Sequence, residues 1–114
     1  MKCRIILELL AILFFTGCYN REQISRLDEA EALIQNKPDS ALTILQQLKS
    51  EGSQAEQAKY ALLYSEALDK NHIKATNDSL IRRAWEYYKH HPKDLRRQCK
   101  TLYYWGKVKL RTGD

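Results

Sequence analysis

The side chains that most often carry catalysis or bind metals are few and scattered in this chain of 114 residues. His72, His90 and His91 are its histidines, and two of them are adjacent, so on a helix they would point about 100° apart. Together with Cys99 they match no metal-ligand spacing. The G-x-S-x-G, H-E-x-x-H and phosphate-loop patterns of common enzymes are also missing. The sequence therefore predicts no catalysis, no cofactor and no metal site.

Charge is divided unevenly along the chain. Residues 19–81 contain 7 basic and 10 acidic residues, a net charge of −3, whereas residues 82–114 contain 10 basic and 3 acidic, a net charge of +7. Basic residues interleaved with aromatics can bind nucleic acid, the phosphates by charge and the bases by stacking. Because helical repeats also place aromatics at the seams between helices, nucleic acid is the less favoured partner, and an acidic peptide or anionic lipid headgroups are preferred. The interleaved aromatics are Trp85, Tyr87, Tyr88, Tyr103, Tyr104 and Trp105.

The N-terminus has the pattern of an export signal. Two basic residues within the first four precede an apolar run of about 11 residues, too short for a membrane-spanning helix of roughly 20. The stretch FFTGC resembles a bacterial lipobox, in which the chain is cut before the cysteine and the cysteine is acylated. That resemblance implies a signal peptide over residues 1–17, a lipidated Cys18, a tether over residues 18–22, and anchoring on the periplasmic side of a membrane, favouring the outer one. An ordinary signal peptide and a buried N-terminal helix are the alternatives.

The cysteines agree with an exported, lipid-anchored chain. Cys3 would be removed with the signal and Cys18 acylated, which leaves Cys99 without an intramolecular disulfide partner. Cys99 shares helical spacing with Leu95 and Leu102. This pattern predicts a small buried thiol rather than a reactive one.

Beyond the signal, apolar residues recur at helical spacing and strand patterns are almost missing. The sequence predicts five helices: residues 21–35, a second from Pro38 to the turn at 50–53, 54–69, a fourth capped by Asn77 or Asp78 and ended before Pro92, and 93–111. Ser53 and Glu56 form a capping-box pattern, and Gly113 is placed as a C-terminal cap. Asp94 is expected in the first turn of the last helix. Four acids are expected on exposed helix faces: Glu29, Glu31, Glu66 and Glu86.

Internal repetition indicates stacked helix pairs. Residues 38–48 align with residues 77–87, and both segments place Asp-Ser in a first helical turn before an apolar stripe. The offset from Asp39 to Asp78 is 39 residues. Helix pairs with a period of roughly 20–50 residues form solenoids.

The spacing resembles the tetratricopeptide repeat, whose signature is W-x2-L-G-x2-Y followed by a small residue, an aromatic and a proline. The resemblance implies an all-α fold over residues 23–114. Antiparallel helix pairs would stack as a right-handed superhelix of about two and a half repeats, the last incomplete, after a signal-peptide helix. The expected packing positions are Ala41 and Leu45 in the first repeat, Leu63, Ala84 and Pro92 in the second, and Leu102, Trp105 and Gly106 in the last helix.

A lipobox followed by such repeats is similar to the N-terminal region of tetratricopeptide-repeat lipoproteins of the Bacteroides group, which are usually several times longer. The resemblance implies a membrane-anchored module that binds a protein or peptide partner on a concave face built from the first helix of each pair. The candidate contact residues are Tyr60, Tyr64, Lys100, Tyr103, Lys107 and Arg111.

The last helix carries an apolar face that would meet the next helix of a longer solenoid. It is expected to be open in this chain, which predicts the front part of a longer protein or self-association through that face. Gly106 would let the facing helix approach closely. The residues of that face are Leu95, Cys99, Leu102, Gly106 and Leu110, with Trp105 beside them.

Overall fold

The structure, a computed structural model, describes residues 21–113. This part of the chain folds into five α-helices and contains no strand, which confirms the all-α prediction. The predicted signal peptide and Cys18 lie outside the described residues. The helices are α1 at residues 21–33, α2 at Pro38–Gln47, α3 at Gln54–Lys70, α4 at Ser79–Tyr88 and α5 at Leu95–Thr112.

Local signals in the sequence explain where these helices begin and end. Pro38 occupies the first turn of α2, where its missing N–H costs nothing. The hydroxyl of Ser53 accepts the Glu56 N–H at 3.2 Å and caps α3 as predicted. Gly113 ends α5 in the left-handed conformation, with φ of 78°, and donates its N–H to Lys109. Asp94 is the N-cap of α5 rather than part of its first turn.

The C-terminus of α3 forms a Schellman motif without a glycine. His72 adopts the left-handed conformation, with φ of 58°, which non-glycine residues seldom use. Its N–H donates to Asp69 at 3.0 Å, and the Ile73 N–H donates to Leu68 at 2.9 Å, so both orphan carbonyls are satisfied. The motif turns the chain sharply and places Ile73 at the surface.

Two apolar clusters hold the helices together, and α3 contributes to both because it is apolar on two sides. The first cluster joins α1, α2 and α3, and the second joins α3, α4 and α5. Contacts run from each helix to the next, α2 to α3, α3 to α4 and α4 to α5, and α3 also touches α5. The first cluster contains Leu27, Ala30, Ile34, Ala41, Leu42, Ile44, Leu45, Leu63 and Ala67. The second contains Ala58, Ala61, Leu62, Ile81, Ala84, Tyr88, Tyr104 and Val108.

Two amide side chains donate hydrogen bonds that connect α1, α2 and α3. Gln23 is buried and its Nε2 donates to the Lys49 carbonyl at 2.6 Å, which ties α1 to the turn after α2. The Asn71 Nδ2 donates to the Pro38 carbonyl at 2.9 Å, which ties the end of α3 to the start of α2. These hydrogen bonds connect segments that are distant in the sequence.

The expected packing positions divide into two groups. Ala41, Leu45, Leu63 and Ala84 are buried in the two clusters, as their positions in the repeat pattern require. Trp105 is half-buried and packs against the second cluster. Pro92, Leu102 and Gly106 are exposed, and a Cβ added at Gly106 would meet no atom within 4 Å. α5 buries its other side, through Thr101, Tyr104 and Val108.

Cys99 lies on the uncovered side of α5 and is exposed. The prediction of a buried thiol is therefore wrong. The helical spacing that links Cys99 to Leu95 and Leu102 is present, but the neighbouring helices pack against the opposite side of α5.

Candidate partner-binding surface

An ion-pair network joins α1, α3 and α5. The Lys59 Nζ of α3 lies 3.7 Å from the Glu31 carboxylate of α1, and Arg97 of α5 donates to the same carboxylate at 2.9 Å. Arg97 also pairs with Asp94 at 2.8 Å. Burial works against the Arg97 charge, but its hydrogen bonds to Asp94 and Glu31 raise the pKa of Arg97 above its usual range. Arg97 thus remains charged and links helices 66 residues apart in the sequence.

Glu66 is the one acid of the expected exposed set that the structure buries. Its side chain is 2% exposed, and the Lys100 Nζ and Gln35 Nε2 both approach its Oε1 at 3.3 Å. The prediction of an exposed Glu66 is wrong because Gln35, in the turn after α1, and Lys100 of α5 cover that side of α3. Glu29 and Glu86 are exposed as predicted, and Glu31 is partly buried in the ion-pair network.

The six predicted contact residues differ in their surroundings. Tyr60 and Tyr64 pack against the first cluster with their rings 5.6 Å apart and at a steep angle. Burial of Tyr60 and the neighbouring Tyr64 raise the pKa of Tyr60 above its usual value. Lys100 is engaged by Glu66. The other three, Tyr103, Lys107 and Arg111, lie together on the second half of α5.

Beside these three residues, α5 and the α3–α4 loop enclose an open cavity of about 390 Å³, here called the loop groove. Lys107 pairs with Asp69 at 2.9 Å and lies 5.1 Å from the centre of the Tyr103 ring. The hydrogen bond to Asp69 is the main cause that raises the pKa of Lys107. Exposed apolar side chains stand next to basic ones in the groove. Its lining includes His72, Ile73, Lys74, Lys107, Leu110 and Arg111.

Sequence analysis missed the loop residues of this groove. None of the loop residues between α3 and α4 was among the predicted contact residues. Ile73 is 46% exposed, a single branched apolar residue between His72 and Lys74. An apolar residue within an otherwise polar loop was the signal available.

The Trp105 side chain is held in place by a hydrogen bond to Asp78 at the start of α4. Its Nε1–H donates to the Asp78 carboxylate at 3.0 Å, and Arg82 donates to the same group at 2.9 Å. The hydrogen bond from Trp105 is the main cause that lowers the pKa of Asp78. The Asp78 side chain makes no cap hydrogen bond to α4, and the Asn77 Oδ1 accepts the Ser79 N–H at 3.0 Å.

The aromatic residues of the basic half all have ring neighbours within the described chain. Trp85 and Trp105 lie 5.9 Å apart, and Tyr87 stacks on His91 at 3.8 Å between ring centres. Lys109 lies 4.6 Å from the centre of the Trp105 ring. These contacts cover part of the ring surface, although Tyr103 remains 58% exposed.

Residues 21–113 hold no group of three or more His, Cys, Asp or Glu side chains placed to bind a metal ion. Within the same part of the chain, none of the helices combines the length and apolar character that a membrane-spanning segment needs. Compared with protein-family models, with curated proteins and with solved structures, the chain matches none of them.

Proposed function

We propose that this chain is a non-catalytic helical-repeat module of the tetratricopeptide type, held at a membrane by lipid on Cys18, that binds a protein or peptide partner. The loop groove is the observation that supports this proposal most directly. It joins exposed apolar side chains to basic ones on a rigid helix, and peptide-binding sites combine these features. By resemblance, the stacked pairs would form a right-handed superhelix in an exported protein.

The chemistry of the groove indicates the kind of peptide it would accept. Ile73 and Leu110 offer apolar contact, and Leu110 is 86% exposed. Asp69 already pairs with Lys107. The ion pairs among the described residues involve neither Lys74 nor Arg111, so these two cations are the available partners for a carboxylate. A segment with an apolar side chain next to an acidic one fits this arrangement.

Peptides selected from a displayed random library against the purified chain should be enriched in apolar-acidic pairs. Arg111→Glu is expected to weaken the binding of a selected peptide about tenfold, because a charge-assisted hydrogen bond contributes roughly 1.5–3 kcal/mol. Lys93→Glu makes the same charge change at an exposed position just before α5, at the opposite end of that helix from the groove, and should alter affinity less than twofold. Isothermal titration calorimetry measures both.

Chemical-shift mapping decides whether the peptide occupies the loop groove. Shifts confined to the α3–α4 loop and the second half of α5 are expected, and shifts elsewhere would contradict the proposed site. Single-stranded DNA and anionic vesicles serve as competitor ligands. Tighter binding of either one, lost steeply with added salt, would favour the anionic-ligand alternative.

The lipid anchor has its own test. In cells fed an alkyne fatty-acid analogue, the wild-type chain should be labelled and Cys18→Ser should not, because the thiol of Cys18 is the acylation site implied by the lipobox. Cys99→Ser is the matched control and should be labelled like the wild type. Equal labelling of Cys18→Ser and the wild type would exclude the anchor.

A further inference from the structure

α5 carries a second apolar surface on the side away from the other helices. The α5 stripe consists of Leu95, Cys99, Leu102, Gly106 and Leu110, which recur every three or four residues along about 23 Å of helix. Leu95 is 62% exposed, Leu102 47% and Leu110 86%. Single exposed leucines are ordinary, but a continuous row on one helix face indicates a surface that a partner covers.

Gly106 lies within the α5 stripe. A Cβ added there would meet no atom within 4 Å, so nothing in the described chain requires a glycine at this position. Glycine inside a helix is less favourable than alanine, and its use is to let another backbone come close. The stripe is therefore lowest at Gly106, between Leu102 and Leu110, where a second helix could cross.

The charges around the stripe distinguish between possible partners. α5 contains six basic residues and no acidic one. Arg97, Lys100 and Lys107 form ion pairs with the body of the protein. At 100° per residue, Arg96 and Lys109 flank the stripe on opposite sides. Neither of these two side chains takes part in the ion pairs of the described residues.

A second copy of this chain is a poor match to that surface. Two α5 helices packed through their stripes would place flanking cations against flanking cations, and like charges at an interface are repulsive. A helix with acidic flanks would instead pair with Arg96 and Lys109 on both edges of the apolar contact.

We propose that the α5 stripe docks an amphipathic helix of a partner polypeptide, with apolar residues at three- and four-residue spacing and acidic residues on both flanks. The apolar ridge of that helix packs between Leu95, Leu102 and Leu110 and crosses closest at Gly106. Leu110 also lines the loop groove, whereas Leu95, Leu102 and Gly106 lie outside that lining, so the two sites can be tested separately.

The test uses the purified chain and three synthetic helical peptides of about 18 residues, long enough to cover the stripe. One carries leucines at heptad spacing with glutamate flanks, the second has the same leucines with lysine flanks, and the third is a scrambled glutamate peptide. Fluorescence anisotropy should show binding of the glutamate-flanked peptide at least about tenfold tighter than either of the others. Equal binding of the glutamate and lysine peptides would overturn the assignment of an acidic partner.

Two pairs of measurements locate the contact. Leu102→Ser should weaken binding of the glutamate-flanked peptide about tenfold, whereas Ile73→Ser, which replaces an equally exposed apolar residue outside the stripe, should change it less than twofold. Gly106→Ala should raise the melting temperature by about 4 °C and weaken peptide binding, because the methyl group stabilises the helix but blocks close approach. A variant that gains both stability and affinity would contradict the role of Gly106.

Alkylation of Cys99 supplies a readout independent of affinity. Bound glutamate-flanked peptide should slow iodoacetamide labelling of Cys99, followed by mass spectrometry, and at the same peptide concentration should slow it much less in Leu102→Ser. Sedimentation tests the second-copy occupant directly. Two results together would contradict the partner helix: the chain forms a dimer that Leu102→Ser dissociates, and the glutamate-flanked peptide does not bind. In that case a second copy of the chain would be the occupant of the α5 stripe.

Discussion

Replacing Leu45 by alanine is expected to lower the free energy of unfolding by about 2–5 kcal/mol. Leu45 is fully buried, with 0% exposure, in the first cluster between α1, α2 and α3. The truncation removes apolar contacts and leaves a cavity that the surrounding helices can only partly fill. Because small domains have about 5–15 kcal/mol of stability in total, this change should move the midpoint of unfolding to a clearly lower denaturant concentration.

Urea denaturation followed by circular dichroism measures the effect of Leu45→Ala. Leu110→Ala is the matched control, since the same side chain is removed from an exposed position on α5, and it should change stability by less than about 0.5 kcal/mol. Equal losses in the two variants would contradict the packing described for the first cluster.

Hydrogen exchange adds regional detail to the Leu45→Ala result. In stacked repeats each unit is stabilised mainly by its neighbours. Amides of α1 and α2 should therefore exchange faster in Leu45→Ala, with a smaller change in α5, which belongs to the second cluster. Uniform acceleration across the chain would indicate a single cooperative unit instead.

Replacing Lys100 by methionine is expected to destabilise the protein by about 2–3 kcal/mol at neutral pH. Methionine keeps most of the aliphatic contact of the lysine and removes its charge. Glu66, whose side chain is 2% exposed, then loses its cationic partner and retains the Gln35 amide. A buried carboxylate without a cation is costly because neither water nor a counter-charge compensates it.

A double-mutant cycle separates the charge from the packing at this pair. The Glu66→Met, Lys100→Met double variant should recover most of the lost stability, since removing both charges leaves no unpaired charge. Lys109→Met, a lysine on the same helix that forms none of the described ion pairs, should have little effect on unfolding. Additive losses in the double variant would show that Glu66 and Lys100 are not energetically coupled.

The engagement of Lys100 also changes how the predicted contact residues should be interpreted. Lys100 forms an ion pair with Glu66, and Tyr60 and Tyr64 pack against the first cluster. Tyr103, Lys107 and Arg111 remain at the surface beside the loop groove. A repeat pattern identifies the helix on which a residue lies, but it does not state whether a neighbouring helix supplies an opposite charge to that residue.

The sequence by itself determined the helices and most of their ends. Helix caps depend on residues three or four positions apart, so Ser53 with Glu56, Pro38 and Gly113 acted through contacts visible in the linear chain. Apolar spacing likewise identified Ala41, Leu45, Leu63 and Ala84 as core positions, all four of them on helices that are covered by neighbours. The left-handed conformation of His72 was not predicted because the Schellman motif there uses no glycine.

Only the tertiary structure decided which side of a helix is covered. α5 has apolar residues on two sides, and periodicity cannot distinguish the side that packs through Tyr104 and Val108 from the side that exposes Leu102 and Cys99. The burial of Glu66 has the same origin, because Gln35 and Lys100 come from distant parts of the sequence to cover it. Local structure follows from nearby residues, whereas burial and pairing depend on which helices meet.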